Sequence, residues 1–183
     1  MRHLPNLICL LRIALVYPIA SHLAAAHYLQ ALALFVLAGG SDGLDGYLAK
    51  RYNWTSELGK VLDPVADKLL LVTVYVEAAW LELAPWWLSA AVVARDVFIG
   101  SGAVVFRLWF GPLRGRPTLA SKINTALQLL FLIAAMLNAA LSFPPGEVLE
   151  ALAFITLLST IISGIDYLTI FTRRALAHPG DPA

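Results

Sequence analysis

The sequence predicts an all-α fold, an integral membrane bundle of six transmembrane helices with both termini on the cytoplasmic side. Three observations carry this. The first is composition. Of 183 residues, 60% are hydrophobic and 14% charged, against roughly 25% charged in ordinary soluble domains, and mean hydropathy is +0.76. A soluble chain of this size could not cover its surface with so few charges, whereas a membrane protein has lipid as solvent. The second is six apolar runs, near 5–26, 28–51, 58–82, 86–110, 118–142 and 147–172, each close to the ~20 residues a helix needs to cross the hydrocarbon core. They do not alternate as barrel strands do, so helices are the way to satisfy their backbone. The third is the distribution of Lys and Arg. Arg2, then Lys50, Arg51 and Lys60, then Arg107, Arg114 and Arg116, then Arg173 and Arg174 fall at alternate ends of the runs, and the first, third and fifth connections hold none. That asymmetry sets cytoplasmic termini.

Taken in order, the first run begins with Arg2 and ends at Ala24-Ala25-Ala26, as a signal peptide would. Pro5 and Arg12 interrupt its apolar core and five more runs follow, so it reads as a retained span. Its Cys9 is the single cysteine, which excludes an internal disulfide and reads as a small packing residue. Residues 1–174 form one domain, and the segment 175–183, with Pro179, Gly180 and Pro182, reads as a frayed tail.

The second and third runs contain what a lipid-facing segment should not. Asp42 and Asp45 are three apart and Asp63 and Asp67 four apart, so each pair shares one helix face. The short connection makes the two helices antiparallel and lets those faces meet in one cluster of four carboxylates. Isolated in lipid each would cost several kcal/mol, and together they repel unless a cation neutralises them. Hard oxygen donors in this number suit Mg²⁺ or Mn²⁺ rather than zinc. Gly46 lies on the Asp42/Asp45 face and Gly59 one turn before Asp63, where the lack of a side chain would admit a substrate to the backbone.

Asp42, Asp45, Gly46, Ala49, Lys50, Gly59, Asp63 and Asp67 resemble the signature Asp-x2-Asp-Gly-x2-Ala-Arg-x8-Gly-x3-Asp-x3-Asp of the CDP-alcohol phosphatidyltransferases, with every interval kept. The departure is Lys50 where the family usually has Arg. Charge is retained there but a bidentate fork is lost, and Arg51 follows as a possible substitute. The resemblance implies that Asp42, Asp45, Asp63 and Asp67 hold two divalent ions, Mg²⁺ or Mn²⁺, against the pyrophosphate of CDP-diacylglycerol. It implies that Asp67, with Asp63 beside it, is catalytic, taking the proton from the acceptor hydroxyl, and that Asp42, Gly46, Ala49, Lys50 and Gly59 line the CDP pocket. It also implies a homodimer among membrane lipids, with no nucleic-acid polymer as partner.

The other polar residues inside the runs are Asn6, Arg12, Arg95, Asp96, Lys122, Asn124 and Asp166. Arg95 and Asp96 read either as a structural pair or as a cavity-facing cation for an acceptor phosphate. Lys122 at a helix start opposes the dipole and so reads as phosphate-binding, with Arg116 nearby. Asn6 and Arg12 read either as caps of the cytoplasmic pocket or as interface residues, with the interface preferred for Arg12, whose stem would snorkel, and Asp166 reads as a packing residue. Arg116-Pro117-Thr118 and Ser121-Lys122-Ile123-Asn124-Thr125-Ala126-Leu127-Gln128 look like the cardiolipin synthase branch, which implies phosphatidylglycerol as acceptor. The alternative is the glycerol 3-phosphate-using branch, which usually carries a second basic residue in the fifth run. A transporter is the non-enzyme alternative, since intramembrane acids also mark ion pathways, but no repeat is visible and the acids cluster at one side. A bacterial and a mitochondrial inner membrane are both compatible; the bacterial one is the expected location, with the site facing the cytoplasm.

Overall fold

The computed structural model describes the backbone of residues 4–52, 59–110 and 118–177, and within them the side chains of all but 4–8, 41–52, 59–65, 106–108, 110 and 174–177. Six helices follow one another: α1 Leu4–Ala24, α2 Tyr28–Tyr52, α3 Gly59–Trp80, α4 Trp86–Phe110, α5 Leu119–Leu141 and α6 Gly146–Ala177. Their bounds lie within two residues of the apolar runs except at the end of α6, which continues to Ala177, past the expected end at Arg174. Three helices are long and apolar enough to cross a membrane, over Trp86–Val105, Leu119–Leu141 and Gly146–Arg173, while the described apolar stretches of α1 and α2, Cys9–Ala24 and Tyr28–Gly40, are shorter. The molecule is an integral membrane protein. Exposed Trp86 and Trp109 stand near opposite ends of α4, about 34 Å apart at 1.5 Å per residue, the spacing of aromatic residues at two membrane interfaces.

The helices pack as a ring. α1 lies against α2 and α3, α3 against α4, α4 against α6, α6 against α5, and α5 closes onto α2 while also touching α3. α1 thus packs on both helices that carry the aspartates. The short connection had suggested that the aspartate faces of α2 and α3 meet; the side chains of those segments lie outside the described residues, and among the described residues α1 and α5 each touch both helices.

Away from the aspartates the ring is filled by Leu23, Phe35, Val74, Tyr75, Leu88, Phe131 and Met136, with Ala31, Ala78, Ala135 and Ala153 where backbones approach. Lipid is as apolar as these side chains, so close packing rather than expulsion of water holds this part together. The Tyr75 and Phe131 rings stack with centroids 6.3 Å apart, and the buried Tyr75 hydroxyl donates to the Gln128 carbonyl at 3.0 Å, so its one polar atom is satisfied. Cys9 is buried, as expected for a packing residue.

The connections at this end are short and tightly hydrogen-bonded. After α1, Ala26 N–H donates to Leu23 O and His27 N–H to His22 O; after α3, Glu82 N–H donates to Ala79 O and Leu83 N–H to Ala78 O. Both are Schellman turns, and Ala26 and Glu82 adopt φ 57° where glycine is usual. The three connections at this end, 25–27, 81–85 and 142–145, contain no Lys or Arg.

Candidate functional site

From near the middle of the bundle toward its other end, the described buried residues include charged ones, Arg12, Arg95 and Asp96. A cavity of about 650 Å³ opens there between α3, α4, α5 and α6, and Asp67, Lys68, Arg95, Asp96, Ser121, Lys122 and Tyr167 are among its lining residues. Three residues singled out in the sequence, Asp67, Arg95 and Lys122, therefore meet in one space.

Each is positioned by its helix. Lys122 is in the first turns of α5, which Thr118 starts: its hydroxyl accepts the Ser121 N–H at 3.2 Å and its carbonyl accepts the Lys122 N–H at 3.1 Å. That N-cap leaves Lys122 exposed beside a helix N-terminus, whose partial positive charge adds to the ammonium's attraction for an anion. Arg95 is buried on α4 and is a junction. Its Nη1 donates to Asp96 Oδ1 at 2.6 Å, and its Nη2 donates to Ser121 Oγ at 2.8 Å on α5 and to Ser163 Oγ at 2.5 Å on α6. The Tyr167 ring lies 5.8 Å from the guanidinium, within cation-π range.

The structure shows the Arg95–Asp96 pair and places Arg95 at the cavity. Through Arg95 the pair ties three helices together. Lys68 joins it, with Nζ 3.1 Å from the same Asp96 Oδ1. One buried carboxylate thus faces two cations, and the remaining positive charge is carried into the cavity by Lys68, whose side chain is 40% exposed, and by Lys122. Neither Lys68 nor Asp96 was identified as a site residue from the sequence; the signal was their adjacency to Asp67 and Arg95. Tyr167 and Ser163 gave no local signal.

Asp67, 39% exposed at its side chain, is at the cavity wall on α3. Its Oδ1 pairs with Arg12 Nη1 from α1. This corrects the expectation that Arg12 snorkels to the interface: it is 1% exposed. The physical reason is that an acid from α3 and a backbone carbonyl from α2, Ala38 O at 3.3 Å from Nε, are both within its reach, so the charge is stabilised inside rather than at the surface. The partner lies 55 residues away in sequence, beyond any local pattern.

Asp42, Asp45, Gly46, Ala49 and Lys50 are on α2, and Gly59 and Asp63 on α3; their side chains, and Arg116 altogether, lie outside the described residues. Among the described residues no three His, Cys, Asp or Glu side chains converge on a metal position. The donor set the two helices carry, carboxylate oxygens alone, has the chemistry of a hard divalent cation site, and Asp67 faces an open cavity that a charged substrate could enter.

On α5, Asn124 is fully buried and its Oδ1 accepts from Ser159 and Thr160 of α6 at 2.8 and 2.9 Å. It is a fastener between helices rather than a cavity residue.

Comparison with known proteins shows the family. Residues 2–165 match the model of the CDP-alcohol phosphatidyltransferase family. The chain is 31% identical over 180 residues to the human protein named cardiolipin synthase (CMP-forming), covering 90% of this chain and 60% of that one. It therefore spans about three-fifths of that relative's length. It is 30% identical over 196 residues to the Bacillus subtilis CDP-diacylglycerol–glycerol-3-phosphate 3-phosphatidyltransferase, covering 91% of this chain and 94% of that one. A Streptomyces coelicolor cardiolipin synthase (CMP-forming) is 44% identical over 69 residues, 38% of this chain and 32% of that one. The chain belongs to the CDP-alcohol phosphatidyltransferase family.

Proposed function

We propose that this protein transfers a phosphatidyl group from CDP-diacylglycerol to an alcohol and releases CMP, with phosphatidylglycerol as the acceptor and cardiolipin as the product. The observation that carries the reading is one cavity in which Asp67 shares walls with Lys68, Arg95 and Lys122, an acid beside cations that suit a phosphate-bearing acceptor.

Asp42, Asp45, Asp63 and Asp67 would hold two divalent ions, Mg²⁺ or Mn²⁺, which supply positive charge against the pyrophosphate and the departing CMP. Asp42, Gly46, Ala49, Lys50 and Gly59 would bind CDP. Lys122 and Lys68 draw the acceptor phosphate toward the cavity, with Arg116 contributing and Arg95 fixing the wall behind them. Asp67 accepts the proton of the acceptor hydroxyl as the oxygen attacks the phosphorus that bears diacylglycerol. The bond from that phosphorus to the CMP oxygen breaks as the new P–O bond forms, so no covalent enzyme intermediate arises. All six helices span the membrane, a bacterial inner membrane, with the aspartates on its cytoplasmic side, where the Lys and Arg concentrate, and the enzyme works as a homodimer.

Glycerol 3-phosphate is the second reading, favoured by the near full-length match to the Bacillus relative. Phosphatidylglycerol is preferred because a soluble dianion calls for more cationic partners than a phosphodiester. Detergent-purified protein given labelled CDP-diacylglycerol, Mn²⁺ and either acceptor separates the two. Cardiolipin formed with phosphatidylglycerol alone is the expected result; phosphatidylglycerophosphate formed with glycerol 3-phosphate alone overturns the acceptor assignment.

A further inference from the structure

We infer that Arg12 is a positioning residue of the aspartate site, a clamp from α1 that sets the level of α2 against α3. The inference rests on the proposal that the aspartates bind divalent ions. A guanidinium presents its donors in a rigid planar fork, and here that fork is divided between two other helices. One arm holds Oδ1 of Asp67 on α3, the other reaches Ala38 O on α2. In a continuous α-helix the Ala38 carbonyl is the one that pairs with the amide of Asp42, and α2 is continuous from Tyr28 to Tyr52. Arg12 therefore grips the helical turn that begins the first aspartate pair and the carboxylate that ends the second. α1 packs along both helices and brings the clamp to them.

Burial makes the clamp stiff. Arg12 is 1% exposed and is among the largest fully buried side chains of the molecule, so water does not compete for its donors. Residues that orient metal ligands from behind typically change metal affinity or activity 10- to 100-fold when replaced. A lysine at this position keeps the charge but, as a single ammonium on a flexible stem, loses the planar fork that serves two helices at once.

The test is Mn²⁺ binding to purified wild type, Arg12→Lys, Arg12→Gln, Asp67→Asn and the Arg12→Gln/Asp67→Asn double variant, read by electron paramagnetic resonance of the free ion, with CMP release measured alongside. Positioning predicts affinity in the order wild type, Arg12→Lys, Arg12→Gln, with the last weakened about 10- to 100-fold. It also predicts that Arg12→Gln weakens Mn²⁺ binding by a smaller factor in Asp67→Asn than in wild type, because one arm of the clamp is already lost with the carboxylate. If whichever Arg12 variant stays monodisperse binds Mn²⁺ as tightly as wild type, or if the two losses multiply, Arg12 is a structural tie only and the inference falls. If wild type itself neither binds Mn²⁺ saturably nor releases CMP, the proposed function fails and takes the inference with it. That outcome is distinct from a normal wild type with a normal Arg12 variant.

Discussion

The two halves of this bundle are held by different forces. The half near connections 25–27, 81–85 and 142–145 is packed with Leu23, Phe35, Tyr75, Leu88, Phe131 and Met136, and the described buried polar groups near that end, such as Ser89 and Thr156, are uncharged. In the other half Arg12, Arg95 and Asp96 are buried, and the Arg12–Asp67 and Lys68–Asp96 pairs each join two helices. Apolar packing tolerates small errors, because a neighbouring methyl group can move a few tenths of an ångström. A buried guanidinium does not, because a misplaced donor is left without water or partner. The difference teaches where this molecule can vary without losing its chemistry.

Asp96→Ala should give the largest loss of stability. It leaves Arg95 buried without its carboxylate and Lys68 without its nearest acid, and breaking a buried pair from one side costs about 3–5 kcal/mol. Denaturation in mixed micelles checks this; an unchanged midpoint would mean that Ser121 and Ser163 suffice to stabilise Arg95. Phe131→Ala sharpens the contrast from the other half. It removes a ring stacked on Tyr75 and should cost about 3 kcal/mol, while the rate of CMP release per folded molecule stays within twofold of wild type. A large fall in that rate would show that the halves are coupled.

How much of this was legible in the sequence divides along the same line. The helix bounds were, because apolar runs of membrane length stop where Pro, Gly and charges gather. The place of Asp67 at a cavity wall was, because an acid within a membrane helix is costly facing lipid; the side chains of Asp42, Asp45 and Asp63 lie outside the described residues. Arg12 was misread, since an arginine in the first apolar run is equally at home at an interface until Asp67 and the Ala38 carbonyl are seen beside it. Lys68 and Ser163 were missed for a related reason: nothing within a helical turn of either announces Asp96 or Arg95. Helical periodicity is a local property and ion pairing across a bundle is not. Arg95 with Asp96 stood between two readings because adjacency suggests a pair, while the bonds to Ser121 and Ser163 that make it a junction come from two other helices.

Smaller effects follow. Lys122→Gln should raise the KM for the acceptor about tenfold, roughly 1.4 kcal/mol of binding, and leave thermal stability unchanged, since Lys122 is exposed. An unchanged KM would move acceptor recognition to other cations of the site. Ala26→Gly should stabilise by about 1 kcal/mol, because Ala26 sits at φ 57°, where a Cβ is disfavoured. A fall in the midpoint would mean that the alanine methyl packs more favourably than its backbone is strained.

The central claim is that Asp67 takes the acceptor proton in a metal-dependent phosphatidyl transfer. The direct measurement is CMP release from CDP-diacylglycerol by wild type and by Asp67→Asn, each with Mn²⁺ and with excess chelator. The expected result is release by wild type with Mn²⁺ alone, and a rate at least about 10²-fold lower for a folded Asp67→Asn protein. Release by Asp67→Asn at the wild-type rate, or release by wild type that chelator leaves untouched, would contradict it.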